Sequence, residues 1–397
     1  MDPIQNPYAP GAGTPPPELA GRSEVIEASR VALKRIAAHR SAQSIILVGL
    51  RGVGKTVLLN KMNDTAIESG FRSAFVEAHE GKTLPELLIP SLRTILYSLS
   101  TIESAKEKSR KALRVLKSFL NGMKVSIGDV DIALSIDPEI GSADSGDIES
   151  DLPTLIEALA EAAESAKRPV SLFIDELQYL HPQEFSALIM SIHKINQRSL
   201  PLIMIGAGLP QIHGLAGNSK SYAERLFRFL EIGALSDDDA LAAVANPAKE
   251  EDVVFSQAAI SKILDRTKKY PYFLQQWAYE CWNTAKSSPI NEQDVDSATV
   301  LAIEELDRSF FKVRFDRCTP SEKRYMRALA ELGQGRHRSG DVAESLGIKV
   351  TSAAPVRNAL IQKGMIYSPA HGDTEFTVPL FDQYMRRVMP ELEKRKS

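Results

Sequence analysis

One eight-residue segment, Gly49-Leu50-Arg51-Gly52-Val53-Gly54-Lys55-Thr56, constrains this chain more than any other feature. It stands between a short apolar run at residues 44–48, which is typical of a buried strand, and a predicted helix that begins at Lys55. Its glycines allow the backbone to approach a ligand closely, so that backbone N–H groups and the helix N-terminus can bind phosphate. The pattern predicts a nucleotide site. The expected binding residues are Gly49, Leu50, Arg51, Gly52, Val53, Gly54, Lys55, Thr56 and Val57.

Four side chains carry the chemistry that this pattern predicts. Lys55 places a cation on the β- and γ-phosphates, and the Thr56 hydroxyl is a ligand of Mg²⁺. Asp175 and Glu176 follow another apolar run at residues 170–174. We expect Asp175 to hold Mg²⁺ through water, and Glu176 to polarise the attacking water as general base. An isolated acidic pair is usually a solvated strand end, so the phosphate loop upstream is what indicates metal and base.

The order of apolar runs predicts the fold class. Runs at residues 44–48, 72–78, 170–174 and 202–205 alternate with helical segments, which favours an α/β P-loop core with a parallel sheet and helices on both faces. A long insertion, at about residues 84–151, separates the second run from the third. We predict helices over residues 84–120, a hairpin over 124–135 and a loop over 141–151.

Composition excludes several other classes of protein. Apolar residues make up 43% of the 397 and charged residues 25%, which is typical of a soluble globular protein and not of a collagen-like or disordered chain. Cys281 and Cys318 are too few for a disulfide framework, and the seven histidines form no metal-binding pattern. No run approaches the ~18 apolar residues of a membrane helix, and no secretory leader is evident. We therefore expect a cytoplasmic protein without a membrane partner.

The chain is expected to divide into four parts. Six prolines in residues 1–18 indicate a flexible arm. We predict the ATPase-type core over residues 19–234, a helical lid over 235–306, in which Ser236 caps the first helix, and a separate C-terminal domain over 307–397. The last part carries a formal charge of +6, whereas the remainder carries −9. A basic end is compatible with nucleic-acid contact, although basic surfaces are often only solvated.

The C-terminal pattern is typical of a winged helix. Predicted helices cover residues 321–332, 339–347 and 350–363, with Ser321 as the cap of the first, and a hairpin over 365–378 supplies the wing. The third helix is of the recognition type, and its polar side chains suit phosphates and base edges. Winged helices also bind proteins, so both partners stay open. The polar residues are Thr351, Ser352, Arg357, Asn358, Gln362 and Lys363.

The phosphate loop and the Asp-Glu pair resemble those of the AAA+ class of P-loop ATPases, and more closely its origin-recognition and STAND-like relatives. Leu19-Ala20-Gly21-Arg22 resembles the box that lies against the adenine, which implies that Gly21 and Arg22 contact the nucleotide. Lys269-Tyr270-Pro271-Tyr272-Phe273 resembles the lid motif in which the proline, here Pro271, faces the nucleotide. The resemblance covers roughly residues 19–390.

The resemblance also implies an arginine finger. In these relatives the finger lies ahead of the fifth strand, and Ala223-Glu224-Arg225-Leu226-Phe227 is similar to the segment that carries it. Arg225 is therefore the expected finger, and Arg228 is a competing candidate. The alternative is that Arg225 is only a solvated helix residue.

Two departures from the family pattern suit the STAND-like branch and a slow nucleotide switch. The fourth strand runs into residues 206–210, where many relatives have a polar sensor residue, and no arginine follows Pro271 as a second sensor.

Three functional hypotheses follow. In the leading one, the protein binds and hydrolyses ATP with Mg²⁺, ATP promotes self-association with Arg225 at the neighbour's γ-phosphate, and the winged helix docks on duplex DNA. In the second, the nucleotide state controls a protein partner through the winged helix. In the third, the protein only binds nucleotide.

Overall fold

The computed structural model describes residues 1–11, 13–124, 136–220, 222–370 and 372–392. The chain forms two compact units. The sheet unit comprises Ser23–Val48 and Lys55–Glu231, and the C-terminal unit comprises Met1–Arg22, Gly49–Gly54 and Ile232–Ser397. The four predicted domain boundaries follow a different division and remain a prediction.

A five-stranded sheet is the centre of the sheet unit. Its strands are β1 (Ser44–Val48), β2 (Arg72–Glu77), β3 (Val170–Asp175), β4 (Leu202–Gly208) and β5 (Phe227–Glu231). They pair in the order β2-β3-β4-β1-β5, and every ladder is parallel, which confirms the predicted α/β class. Strands β1, β3 and β4 are buried along their whole length, because a parallel sheet covered on both faces requires continuous apolar runs.

Helices cover this sheet and form most of the insertion. They are α1 (Ser23–Ala37), α2 (Lys55–Glu68), α3 (Leu84–Ser100), α4 (Lys106–Met123), α5 (Ile148–Ala166), α6 (Pro182–Gln197), α7 (Ile212–Ser219) and α8 (Ala223–Leu226). Apolar faces of α3 to α6 pack with the strands into one buried core. The predicted loop over 141–151 is wrong at its end, because Asp147 accepts a hydrogen bond from the Glu149 N–H and caps α5. The predicted hairpin over 124–135 lies, from residue 125 onward, outside the described residues.

Helices dominate the C-terminal unit up to about residue 316. They are α9 (Asp237–Glu250), α10 (Gln257–Thr267), α11 (Pro271–Thr284), α12 (Glu292–Glu305), a π-helix (Leu306–Phe311) and α13 (Lys312–Asp316). Ser236 caps α9, since its side chain accepts from the Asp239 N–H at 3.1 Å. In the part of the chain that the structure describes, no helix is long and apolar enough to cross a membrane.

The rest of the C-terminal unit has the element order expected of a winged helix. It contains α14 (Pro320–Glu331), β6 (His337–Arg338), α15 (Ser339–Leu346), α16 (Val350–Gln362), β7 (Ile366–Tyr367), β8 (Asp373–Phe376) and α17 (Phe381–Val388). The three short strands form an antiparallel sheet in the order β6-β8-β7, which is consistent with a winged-helix region. Thr319, not Ser321, caps α14, because Glu322 completes a capping box with it.

Two basic residues, Arg357 in α16 and Lys363 directly after it, have structural partners. Arg357 donates hydrogen bonds to the Thr374 and Ser368 hydroxyls and to the Asp373 carbonyl, at 2.7–2.8 Å, and so ties the helix to the wing. Lys363 pairs with the buried Glu322 at 2.7 Å. Neither is therefore a good candidate for DNA contact. The exposed polar face of α16 consists of Thr351, Ser352, Asn358 and Gln362, with Lys349 at the helix start.

The N-terminal segment packs against helices of the same unit, which the prediction of a flexible arm does not anticipate. The Met1 amino group donates to the Ala285 carbonyl at 2.6 Å, and the Trp282 indole N–H donates to the Asp2 carbonyl at 2.8 Å. Tyr8 is only 3% exposed and lies edge-on to Phe255. Burial of this aromatic ring offsets the ordering cost of a segment rich in proline.

Candidate functional site

The glycine turn at residues 49–54 belongs to the C-terminal unit. A Cβ atom at Gly49 would stand 2.0 Å from the Ile232 carbonyl oxygen, so no larger residue fits there. Gly52 has a φ of +83°, a conformation that favours glycine. Val53 is buried, and the Arg51 N–H donates to the Thr377 carbonyl at 3.2 Å. The turn is therefore held by contacts on both sides, which fixes its backbone.

Gly21 and Arg22 support the same turn. The Arg22 guanidinium donates to the Gly233 carbonyl at 2.5 Å and reaches the Val53 carbonyl at 3.4 Å. Burial lowers the pKa of Arg22, and the Asp239 carboxylate opposes that shift. Gly21 has a φ of +67° and lies against Asp239, whose carboxylate oxygen would be 2.6 Å from an added Cβ. Arg22 thus joins the glycine turn to the segment that precedes α9.

Pro271 is the first residue of α11, next to the glycine turn. The N–H of Tyr272 donates to the Gly52 carbonyl at 3.2 Å. Side-chain atoms of Tyr270 and Tyr272 would both be 3.3 Å from a Cβ at Gly52. Because proline has no N–H and a fixed φ, it suits a first helical position whose backbone donor has no partner in the helix. The predicted lid motif and the glycine turn therefore meet within one unit.

Lys55, Thr56 and Asp175 meet in the sheet unit. Lys55 opens α2 and is 6% exposed. The Thr56 hydroxyl donates to Asp175 Oδ2 at 2.7 Å. Val57 follows in the same turn and is half-buried. A hydroxyl and a carboxylate in contact supply the oxygen ligands that Mg²⁺ prefers, so the residues fit the predicted ion. The described residues contain no group of three or more His, Cys, Asp or Glu that could hold a metal.

The environment of Asp175 opposes its ionisation. Burial raises the pKa of this carboxyl, while the Thr56 hydrogen bond lowers it, the Glu176 charge raises it, and the Lys55 charge lowers it. The net direction is upward. A buried carboxylate of this kind gains strongly from a nearby cation.

Glu176 stands at the end of β3 in an unusual backbone conformation. Its φ is +54°, and its N–H donates to Asp175 Oδ1 at 2.8 Å. The Gln178 side-chain amide donates to Glu176 Oε2, and Gln178 Oε1 accepts from the Leu209 N–H at 3.1 Å. Gln178 therefore links the predicted base to the end of β4. The absence of a side chain at Gly208 provides space for the Gln178 amide, because a Cβ there would be 2.9 Å from Gln178 Oε1.

Arg225 lies on the short helix α8, immediately before β5. Its side chain is exposed, and its carbonyl accepts from Gln43 Nε2 at 2.9 Å. Arg228, in β5, is also exposed. The strand β5 is at an edge of the sheet, and α8 directly precedes it. This geometry leaves the choice between the two open.

The structure brings the predicted site residues together in two groups. In the C-terminal unit, Arg22 contacts Val53, and Gly52 contacts Tyr272, which follows Pro271. Gly21 lies against Asp239, Gly49 against Ile232, and Arg51 against Thr377. In the sheet unit, Lys55, Thr56, Asp175 and Glu176 lie together. Sequence reasoning missed Asp239, Gln178 and Thr377. Asp239 was visible as one of three carboxylates at a helix start, and Gln178 as a polar residue directly after the acidic pair. Nothing in the sequence around Thr377 indicates that its carbonyl accepts a hydrogen bond from the Arg51 N–H.

A prediction follows from the raised pKa of Asp175. Because the pKa of Asp175 is higher in the folded chain than in the unfolded one, ionisation of this carboxyl lowers the free energy of unfolding. The loss of stability is absent below the ordinary pKa of 3.8 and grows as pH rises through the folded pKa. Without Mg²⁺, Asp175→Asn should therefore be more stable than the wild type at about pH 7, and the difference should shrink towards about pH 4. Urea unfolding at several pH values measures it.

The matched control is Asp64→Asn, at an exposed position of α2, which should change the free energy of unfolding by less than about 0.5 kcal/mol. If the wild type is more stable than Asp175→Asn at neutral pH, and the difference grows with pH, then ionised Asp175 does not destabilise the fold and the prediction is wrong.

Two family models match separate parts of the chain. Residues 18–205 match the AAA ATPase domain family, and residues 308–385 match a domain of unknown function, DUF8462. Origin recognition complex subunit 4 of Homo sapiens is 25% identical over 180 residues, which are 44% of this chain and 32% of that protein, and the subunit of Pongo abelii gives the same values. The match thus spans about a third of the length of these curated relatives.

Among solved structures, a Walker-type ATPase of Pyrococcus abyssi resembles the chain with a TM-score of 0.59 and 17% identity, over 94% of this chain and 97% of that one. At this identity the likeness establishes the fold. Through its domain at residues 18–205, the chain resembles the AAA+ P-loop ATPases, and among them the origin-recognition proteins.

Proposed function

We propose that this protein binds ATP with Mg²⁺ through residues 49–57 and hydrolyses it. The observation that carries the proposal is the 2.7 Å contact between the Thr56 hydroxyl and the Asp175 carboxylate. These two side chains, 119 positions apart in the chain, are the ones expected to hold Mg²⁺. Thr56 is also the last residue of the complete G-x-x-x-x-G-K-T segment.

Each residue has a separate proposed role. Lys55 binds the β- and γ-phosphates, and the buried surroundings of its ammonium strengthen that attraction. Thr56 and Asp175 would hold Mg²⁺, which neutralises phosphate charge. Glu176 accepts a proton from the attacking water, and Gln178 holds its carboxylate. Arg22 and Pro271 position the glycine turn, with Gly21 beside them, next to the adenine end of the nucleotide.

Two substitutions separate binding from hydrolysis. Lys55→Ala should abolish ATP binding, because a phosphate-facing cation is lost from a partly desolvated site. Glu176→Gln should keep binding and lower hydrolysis by about 10²-fold or more, because only the base is removed. Equilibrium binding of a fluorescent ATP analogue and phosphate release measure the two effects.

The matched control is Lys61→Ala, which removes an exposed lysine of the same helix and should leave both quantities unchanged. Wild-type hydrolysis by Glu176→Gln would overturn the assignment of the base, and full ATP affinity in Lys55→Ala would overturn the site itself.

We further propose that ATP promotes self-association, with Arg225 of one copy at the γ-phosphate of another. The exposure of Arg225 beside an edge strand supports this, as does the description of the curated relatives as subunits of a complex. A finger supplied in trans contributes about 10³–10⁵ in rate. Specific activity should therefore rise with protein concentration in the wild type.

Arg225→Ala should lose this rise and still bind ATP, and Arg228→Ala serves as the competing variant. Phosphate release over a dilution series, with the mass in saturating ATP measured by light scattering, tests the idea. Activity independent of concentration together with a monomeric mass would contradict a shared site.

DNA binding by the C-terminal region is the third part of the proposal. The charge of +6 over residues 307–397 supports it, and so does the exposed polar face of α16. Lys349 at the start of α16 is exposed, as is Arg336 just before β6. These side chains, in place of Arg357 and Lys363, are the proposed phosphate contacts. The alternative is a signalling switch in which the same region binds a protein partner.

A salt series distinguishes these alternatives. Affinity of the full chain with ATP for duplex DNA should fall with salt, and Lys349→Ala should reduce the log–log slope by about 0.9, the value for one phosphate contact. Lys312→Ala, an equal charge change on α13, should not alter it. Fluorescence anisotropy measures this, and no binding at ~50 mM salt would reject DNA in favour of the protein partner.

A further inference from the structure

A cavity of about 230 Å³ opens in the C-terminal unit, and its lining includes no residue of the glycine turn. Helices α10, α11 and α12 contribute one side of its wall, and the π-helix and α17 region contribute the other. Well-packed interiors contain few voids larger than a water molecule. A larger side chain at Thr299 or Ile303 could have filled this space, so packing alone does not explain why it is open.

The inner wall of the cavity is apolar. It is formed by Trp277, Ile303, Leu306, Phe311 and Leu380. The Trp277 indole N–H already donates to the Thr299 hydroxyl at 3.1 Å, so the ring presents carbon surface without an unsatisfied donor. A cavity of about 150 Å³ suffices for benzene, which makes this one large enough for a single ring and too small for a nucleotide.

Three basic side chains, Arg266, Lys268 and Arg387, line the outer wall, and each has a carboxylate partner. Arg266 pairs with Asp296 at 3.0 Å and Lys268 pairs with Asp265 at 3.0 Å. Asp307, outside the lining, binds Arg387 through its Nε and Nη2 atoms at 2.8 and 2.6 Å. This pairing orients the guanidinium and engages only part of its five N–H donors. An anionic group at the mouth would meet a preorganised fork of donors.

We propose that this cavity binds a small carboxylate with one compact apolar group, such as an arylacetate. The ring packs against Trp277 and Phe311, and the carboxylate accepts hydrogen bonds from Arg387 and Arg266. The occupant contacts α11 and α12 as well as α17, so binding stabilises the association of the C-terminal helix with the lid helices. The π-helix lies in the wall, and such segments are frequent at functional sites. The proposal is independent of ATP binding.

The test uses phenylacetate as the probe, with 2-phenylethanol and acetate as matched compounds that lack the charge or the ring. Saturation-transfer NMR and isothermal calorimetry on the full chain should show saturable binding of phenylacetate, at least about tenfold weaker binding of the alcohol, and none of acetate. Arg387→Gln should weaken phenylacetate by a similar factor and leave the alcohol unchanged.

Ile303→Phe should fill the cavity and abolish binding, whereas Val300→Phe, at an exposed position of the same helix, should not. Circular dichroism checks that both variants fold. If Ile303→Phe does not fold, Arg387→Gln still tests the site. Absence of saturable binding by the wild type would overturn the proposal. So would equal affinity for phenylacetate and 2-phenylethanol, or equal binding by folded Ile303→Phe and Val300→Phe.

Discussion

The hydrogen bond from Thr56 to Asp175 is the interaction on which the account of this protein rests. It joins the first turn of α2 to the end of β3, two elements that a parallel sheet brings to the same edge. The carboxylate is buried and its pKa is raised, so the site stores an unfavourable charge that a bound cation would relieve. The strands β1, β3 and β4 behind this contact are buried along their whole length.

The glycine turn is held by a different set of contacts. Arg22, Tyr272 and Thr377, which are far apart in the chain, all bond to the backbone of residues 51–53. A loop that binds phosphate through N–H groups must hold its backbone in one conformation before the ligand arrives. Thr377, which directly follows β8, therefore contributes to holding the turn.

Much of the sheet was predictable and several contacts were not. Strands β1 and β3 match their predicted runs because continuous apolar sequence leaves no alternative, whereas β4 extends through Gly206 to Gly208, residues of low strand propensity that pairing with β1 holds in place. The contacts of Arg357 with the wing and of Lys363 with Glu322 could not be predicted, because a pattern of polar residues does not show which of them will have a tertiary partner. The same holds for the packing of Tyr8 and for the link from Gln178 to Glu176.

The most direct test of the central claim is paramagnetic resonance with Mn²⁺ in place of Mg²⁺. With ATP present, the wild type should immobilise Mn²⁺, and Thr56→Val should weaken this binding by about tenfold, because one oxygen ligand is replaced by a methyl group of similar volume. The Mn²⁺ signal should depend on ATP in the wild type. Equal Mn²⁺ affinity in the wild type and in Thr56→Val, with ATP bound to both, would contradict the assignment of the metal site to Thr56 and Asp175.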